Sequence, residues 1–239
     1  MSDARHNETW VVDGVLHGGD SGVGAVLLRA VLTPLAWLHQ FGLEAYLTPF
    51  RLGLRKRYRL PVPVVSIGNL SSGGTGKTPA TAFVAGCLRE AGKRVVILSR
   101  GHGGLAERGK DPVIVSEGDG KHLSPVVAGD EPVLLAGLLP DVPIIVCRDR
   151  RKSGQLAVER FAPEVILLDD GLQYWQLHRD LDIVLLDARR PFDNGFVLPR
   201  GLLREPPSHL SRAGLVILTR ADRVTDRQTL QKTVARVQE

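Results

Sequence analysis

Seven short apolar runs, rich in β-branched residues and each closed by polar ones, constrain this 239-residue chain more than any other feature. They read "VPVVSI" (62–67), "RVVILS" (94–99), "PVIVS" (112–116), "PIIVC" (143–147), "EVILLD" (164–169), "DIVLLD" (182–187) and "LVILT" (215–219). A strand with one wet face alternates apolar and polar residues. Strands without that alternation are covered on both faces, which requires helices on either side and therefore a mostly parallel α/β sheet. An apolar content of 43% is enough to build the core of one such domain. Ligands of these sheets bind beyond the carboxyl ends of the strands, so the polar residues that close each run are the candidates for chemistry.

The first run leads into "GNLSSGGTGKTP" and then into the helix-compatible "ATAFVAGCLREAG", with Pro79 in the first turn, where a missing N–H costs nothing. Strand, glycine loop and helix in that order form a phosphate loop. Gly73, Gly74 and Gly76 let backbone N–H groups of the Gly73–Thr75–Gly76 turn converge on phosphate oxygens. Lys77 brings a positive charge, and Thr78 offers a hydroxyl to Mg²⁺. The full GxxxxGK[ST] pattern is not met, because Ser71 stands where its first glycine would fall. "GGTGKT" is a compact form of the loop, and the ligand it predicts is a nucleoside triphosphate.

A phosphate loop needs acidic partners for its metal at a neighbouring strand end, and Asp169 and Asp170 of "EVILLDDG" supply them. Other strand ends carry Arg100 and His102 in "SRGHGG", and Arg148, Arg150, Arg151 and Lys152 in "CRDRRKSGQ", a cationic group suited to an anionic substrate. In "GDEP", Asp130 reads equally well as a helix N-cap, with Pro132 opening the helix, and as a general base. "DARRPFDNGFVLPRGLLREP" is long, rich in Gly and Pro and without apolar period, as functional loops often are. Cys87 and Cys147 sit in apolar runs without metal-ligand spacing and read as buried thiols of a reducing compartment.

Residues 25–60 differ from the rest: Leu-rich, aromatic, broken by Pro34 and Pro49, and ending in Arg51, Arg55, Lys56, Arg57 and Arg59. Leu27, Val31, Leu35 and Leu38 share one helical stripe. Only 14 uncharged residues separate Arg29 from Glu44, fewer than the ~20 that span a bilayer. Two readings fit equally: a helix in the surface of an anionic membrane, or an amphipathic helix packing that stripe on the domain. A net charge of +5 and a pI near 9.5 favour anionic partners of some kind, whether nucleotide, acidic lipid or nucleic acid. Residues 1–24 carry several acids and no secretory pattern, and read as a flexible N-terminus.

Taken in order, "LPVPVVSIGNLSSGGTGKTP", "LSRGHGG", "GDEPVLLA", "LLDDGLQ", "LDIVLLDARRPFDNGFVLPRGLLREP" and "VILTRAD" resemble the tetraacyldisaccharide 4'-kinase family. The resemblance implies a P-loop NTPase-like α/β domain over 61–239, lacking the family's C-terminal part, preceded by a membrane-associated amphipathic segment at 25–60. It also implies ATP and Mg²⁺ as cofactors and transfer of the γ-phosphate to the 4'-hydroxyl of a lipid A disaccharide precursor. The site would be the cytoplasmic face of the inner membrane, with an anionic membrane surface and no nucleic acid as partner. Carried over by position, Asp130 becomes the catalytic base beside Lys77, Thr78, Glu131, Asp169 and Asp170 the metal group, and Asn69, Arg100 and Arg150 the substrate or phosphate contacts.

This sequence departs from the family pattern at His102, where Tyr is usual, and at Tyr174, where His is usual. It also ends before the late histidine that pairs with the family's catalytic aspartate, which leaves a non-catalytic relic as one alternative. Another is a nucleotide-switch ATPase of the partition or metallochaperone type. Such ATPases place a lysine just before the glycine pair, and Ser72 stands there instead.

Overall fold

The structure is a computed structural model and describes residues 22–238. The expected flexible N-terminus, as far as residue 21, lies outside them. Helix α1 (Val23–Arg51) comes first, followed by strand β1 (Val64–Asn69), helix α2 (Lys77–Glu90) and strands β2 (Val95–Ser99) and β3 (Val113–Glu117). The one-turn helix α3 (Pro125–Ala128) and α4 (Asp130–Leu138) precede β4 (Pro143–Val146), α5 (Arg150–Phe161) and β5 (Val165–Asp169). Strands β6 (Leu181–Asp187) and β7 (Leu215–Thr219) and helix α6 (Arg227–Gln238) are the last of the described elements. All seven apolar runs are strands.

The strands form one sheet in the order β3-β4-β2-β5-β1-β6-β7. Every pairing is parallel except that of edge strand β3 with β4. Burial along β2 and β5 shows why the runs do not alternate. Val95, Ile97 and Leu167 pack with Ala85 of α2 and Leu135 of α4 on one face, whereas Val96, Leu98, Ile166 and Leu168 pack with Ala157 of α5 on the other. Each aliphatic side chain so buried contributes roughly 1.5–3 kcal/mol, and polar substitution on either face would cost that face its packing.

A third apolar cluster, with Leu70, Leu172, Leu186, Phe192, Val197 and Leu203, lies beside β6. It anchors the long β6–β7 loop, which folds back onto the approach to the phosphate loop. Ser72 donates its N–H to Leu202 O (2.6 Å) and Arg204 donates its N–H to Leu70 O (2.6 Å). The Gly- and Pro-rich loop is thus a strap across the carboxyl edge of the sheet.

Helix α1 is not broken at Pro34 or Pro49 but continues through both. Its 29 residues are long and apolar enough to cross a membrane by length and composition. Ala25, Ala36 and Leu47, spaced by three turns, are buried together with Phe50. Ala36 joins the cluster beside β6, and Leu47 and Phe50 pack on Trp175. The stripe of Leu27, Val31, Leu35 and Leu38 is exposed, as are Trp37 and Phe41. The packed-helix reading is therefore corrected in its face: Ala25, Ala36, Leu47 and Phe50 meet the domain, and the Leu27–Val31–Leu35–Leu38 stripe points away from it. Cys147 is buried as expected, and burial raises its thiol pKa, but Cys87 is exposed.

Candidate active site

The phosphate loop leaves β1 at Asn69 and ends at Gly76, whose φ of +82° is a backbone state that L side chains rarely adopt. The turn delivers Lys77 as the first residue of α2. Asn69 is fully buried: its Nδ2 donates to Thr75 Oγ1 (2.8 Å) and its Oδ1 accepts from Lys77 Nζ (3.5 Å). In this structure Asn69 braces the loop from beneath, and its amide has no open face for a substrate. Lys77 Nζ also stands 3.8 Å from Asp170 Oδ1. Thr78 lies beside Lys77 in the first turn, half-buried. Arg220, at the end of β7, donates to Gly74 O and to Asp187 (2.6 Å), tying the loop to the neighbouring strand ends.

The two adjacent aspartates go opposite ways. Asp170 takes a left-handed backbone conformation (φ +51°), a state aspartate tolerates better than most residues. The turn leaves Asp169 facing inward and Asp170 facing the loop. Asp169 is 1% exposed and accepts from Thr81 Oγ1 (3.1 Å) and Ser99 Oγ (3.3 Å). Burial, reinforced by the charges of Glu131 and Asp170, pushes its carboxyl up to about 6. Asp170 is held by Arg204, whose Nη1 reaches both carboxylate oxygens at 3.1 and 2.9 Å. Gln173 accepts from the same nitrogen at 3.5 Å and donates to Asn69 O at 3.0 Å.

Among the described residues no group of three or more His, Cys, Asp or Glu could hold a metal ion alone. Mg²⁺ does not need such a cage, since it commonly uses one or two carboxylates and completes its shell with water and phosphate oxygens. Carboxylates that repel one another around Asp169, next to a phosphate loop with Thr78 in its first turn, fit that mode of binding.

Two glycine turns bring Asp130 to this edge. Gly129 has φ +89° and lies against the 101–102 turn, where a Cβ would meet His102 O at 2.5 Å. A Cβ on Gly104 would in turn meet Gly129 N at 2.5 Å. The loop after β2 and the start of α4 are consequently in backbone contact. Gly129 occupies the N-cap position, and Asp130 is the first helical residue, with an exposed side chain. The N-cap reading of Asp130 is thereby corrected, and its carboxylate is free for other work. Glu131 follows, also exposed.

Arg100 does not stand free: its Nε pairs with Glu107 at 2.7 Å, and His102 leans on the same carboxylate at 3.3 Å. Arg150 is 6% exposed and lies over the Tyr174 ring at 5.0 Å. Tyr174 donates its hydroxyl to Asp149 (2.7 Å). Of the four cations after β4, Arg151 is turned back onto Asp149 (2.7 Å) and Lys152 pairs with Asp111 (3.3 Å). Only Arg148 and Arg150 remain for an anion. Arg204, Gln173 and Arg220 were not singled out from sequence. "LREP" and "VILTRAD" contain the two arginines, but only the strap and the parallel β6–β7 pair bring them to the loop.

Comparisons with known proteins cover most of the chain. The family model described as tetraacyldisaccharide-1-P 4'-kinase matches residues 28–239. The chain belongs to this family. It is 46% identical over 197 residues to tetraacyldisaccharide 4'-kinase of Pelobacter propionicus, covering 82% of this chain and 54% of that protein. With the Geobacter metallireducens enzyme of the same name it shares 47% identity over 194 residues, 81% of this chain and 57% of that one. The crystal structure of LpxK from Aquifex aeolicus in complex with ATP is similar at TM-score 0.75 and 43% identity, over 83% of this chain and 60% of that chain. The chain thus spans a little over half the length of the curated relatives it matches. Members of the family as named are 4'-kinases, and the phosphate loop, the strap and all but the first five residues of α1 fall within the matched span.

Proposed function

We propose that this protein is an ATP-dependent kinase that phosphorylates the 4'-hydroxyl of a tetraacyldisaccharide 1-phosphate, with the acceptor presented from a membrane surface. The observation that carries the reading is the joined constellation of Lys77, Asn69, Asp170 and Arg204, in a chain belonging to a family named for this reaction. The loop N–H groups and Lys77 bind the triphosphate, and Lys77 and Arg204 offset charge on its terminal group. Asp130 accepts the 4'-hydroxyl proton. The hydroxyl oxygen bonds to the γ-phosphorus as the bond to the β–γ bridging oxygen breaks, and ADP departs with that electron pair.

Asn69 and Gln173 act on Lys77 and on the loop backbone rather than on the reacting atoms. Thr78, Asp169 and Glu131 would hold Mg²⁺, whose contribution when bound is to neutralise charge on the phosphate oxygens. The exposed stripe of α1, with Trp37 and Phe41, suits burial in the headgroup region of an anionic leaflet. In this reading the protein sits peripherally on the cytoplasmic face of the inner membrane, where ATP is available.

The test is transfer of labelled γ-phosphate from ATP to tetraacyldisaccharide 1-phosphate in mixed micelles. The product should carry a second phosphate, and Lys77→Ala should lower kcat by roughly 10²–10³-fold with its melting temperature unchanged. ATP hydrolysis by the parent protein with no labelled lipid would favour a nucleotide switch and overturn the kinase reading.

A further inference from the structure

The end of strand β7 abuts the tip of the phosphate loop. Register pairs Asp187 with Thr219 where β6 and β7 finish, and Ala188 donates its N–H to Thr219 O (2.9 Å). The next residue, Arg220, takes a left-handed backbone conformation (φ +55°), a state that residues other than glycine adopt uncommonly and at some cost. With the chain so turned, its guanidinium spans two elements: Nη1 donates to Asp187 Oδ2 (2.6 Å), and Nη2 donates to Gly74 O. Asp187 is held in turn by Arg189, through Nε (3.0 Å), Nη2 (2.7 Å) and the backbone N–H (3.0 Å). Arg189, and after it Arg220, keep the Asp187 carboxyl well below the usual carboxylate range. The anchor of Arg220 is therefore a fixed negative charge.

Arg220 reaches the loop where packing is thinnest. A Cβ at Gly73 would meet no atom within 4 Å, and one at Gly74 would meet Arg220 Nη2 alone, at 3.9 Å. The flanking groups have other anchors. Ser72 donates its N–H to the strap at Leu202 O, and Asn69 Nδ2 reaches Gly73 O (3.4 Å) and Thr75 Oγ1 (2.8 Å). The Gly74 carbonyl is left to Arg220. A trans peptide points its C=O and its N–H in opposite directions, so holding Gly74 O toward β7 turns Thr75 N–H the other way. That N–H is bonded to Gly73 O (3.0 Å), closing a three-residue turn. A phosphate oxygen carries charge and is the stronger acceptor, so a bound phosphate would take the N–H over.

We propose that Arg220 is a positioning residue of the phosphate loop: by fixing the plane of the Gly74–Thr75 peptide it presents Thr75 N–H to the β-phosphate of the nucleotide, without touching the nucleotide itself. The inference rests on the phosphate-loop part of the reading above and needs neither acceptor nor turnover. The planar guanidinium fork is what spans Asp187 and Gly74 together, and a lysine would keep the charge but lose that fork. A cavity of about 570 Å³ opens beside the loop, lined by Gly74, Asp187, Arg190, Arg220 and Arg223 among others. A nucleoside resting there would touch Arg220 directly, which is a different role and gives a different result.

The experiment is calorimetric titration of ADP and of AMP into the parent, Arg220→Lys and Asp187→Asn. Only ADP carries a β-phosphate. In Arg220→Lys the affinity for ADP should fall about tenfold, the loss expected for one hydrogen bond to a charged acceptor, while the affinity for AMP stays within about twofold of the parent. Asp187→Asn keeps the arginine and weakens its anchor, so it should shift the ratio of ADP to AMP affinity in the same direction by a smaller factor. Both residues are half-buried and lie outside the apolar clusters, so the fold should survive, and an unchanged melting temperature confirms it.

Equal losses for ADP and AMP in Arg220→Lys would make Arg220 a nucleoside contact and overturn the proposal. An unchanged ratio of ADP to AMP affinity in both variants would overturn it as well, and would leave the phosphate loop standing. A parent that binds ADP no more tightly than AMP would refute the phosphate-loop reading itself, so the two failures are distinct.

Discussion

Helix α1 and the inner strands are built from similar side chains put to opposite use. In β2 every residue is buried, and in β5 four of five are. In α1 four of 29 are, and the largest apolar groups face outward, with Trp37 63% and Phe41 73% exposed. The sheet keeps its apolar residues for its own core, whereas the helix docks through small ones at Ala25 and Ala36 and through Leu47 and Phe50 against Trp175. Apolar periodicity states that a face leaves water. It does not state what covers that face, and in this chain two answers stand side by side.

The division implies that chemistry at the sheet edge and binding along the helix can be removed separately, and the largest expected effect lies at the edge. Asp130→Asn keeps the shape of the first residue of α4 and removes its ability to take a proton. Turnover should fall by ~10²–10⁴ while the melting temperature and vesicle binding stay at parent values, as measured by steady-state kinetics and flotation. Parent-like turnover would remove the base from Asp130. A variant that also lost vesicle binding would break the comparison itself.

Next in size is the helix. Trp37→Glu/Phe41→Glu places two charges on the outward face without touching a buried residue. Each aromatic group lost from an apolar environment is worth roughly 1.5–3 kcal/mol, so partition onto anionic vesicles should fall at least about tenfold, with the thermal transition unmoved. An unfolded variant would show that the face packs on protein after all. Raised salt should weaken parental binding less than this substitution does, because three of the basic residues are folded onto aromatic rings. Arg55 lies over Phe50 at 4.8 Å, and Arg57 and Arg51 lie over Trp175 at 4.8 and 6.0 Å.

The smallest effect is one of stability and belongs to Asp169. Its folded carboxyl binds a proton more tightly than the unfolded chain does, about 6 against 3.8. The stability linked to that proton is fully present below pH 3.8 and is lost as pH rises through 6. Asp169→Asn cannot ionise, so between those values it should show a flatter stability–pH profile than the parent. At neutral pH in chelator it should melt several degrees higher, with a gain of at most about 3 kcal/mol. A lower melting temperature at pH 7.5 would mean that the Thr81 and Ser99 hydroxyls outweigh the repulsion.

Much of the frame was legible in the sequence because strand and loop signals are local. Seven apolar runs gave seven strands, and the glycine loop, with GKT opening a helix, fixed where a phosphate would bind. The reading went astray where the answer depended on distant residues. That Gly129 and not Asp130 caps α4 turned on a contact between Gly104 and Gly129, about 25 residues apart. The covered face of α1 was settled by loops more than 100 residues downstream. Arg204 left no local signal, since its role comes from a strap that pairs Ser71 with Leu203. Two of the four cations at 148–152 are already paired, Arg151 with neighbouring Asp149 and Lys152 with distant Asp111, a distinction that counting charges does not make.

The strap also joins the two regions at a single peptide bond. Arg204 reaches Asp170 at the phosphate loop. Its neighbour Glu205, 1% exposed, holds Arg212 (2.7 and 2.8 Å) and His209 (2.7 Å), and His209 in turn meets Glu44 of α1 at 2.7 Å. Consecutive residues therefore answer to opposite ends of the molecule, and the equilibria at those ends share atoms. Thermodynamic reciprocity then applies: whatever factor seating the helix imposes on the grip at Asp170, occupancy at Asp170 must impose on the seating of the helix.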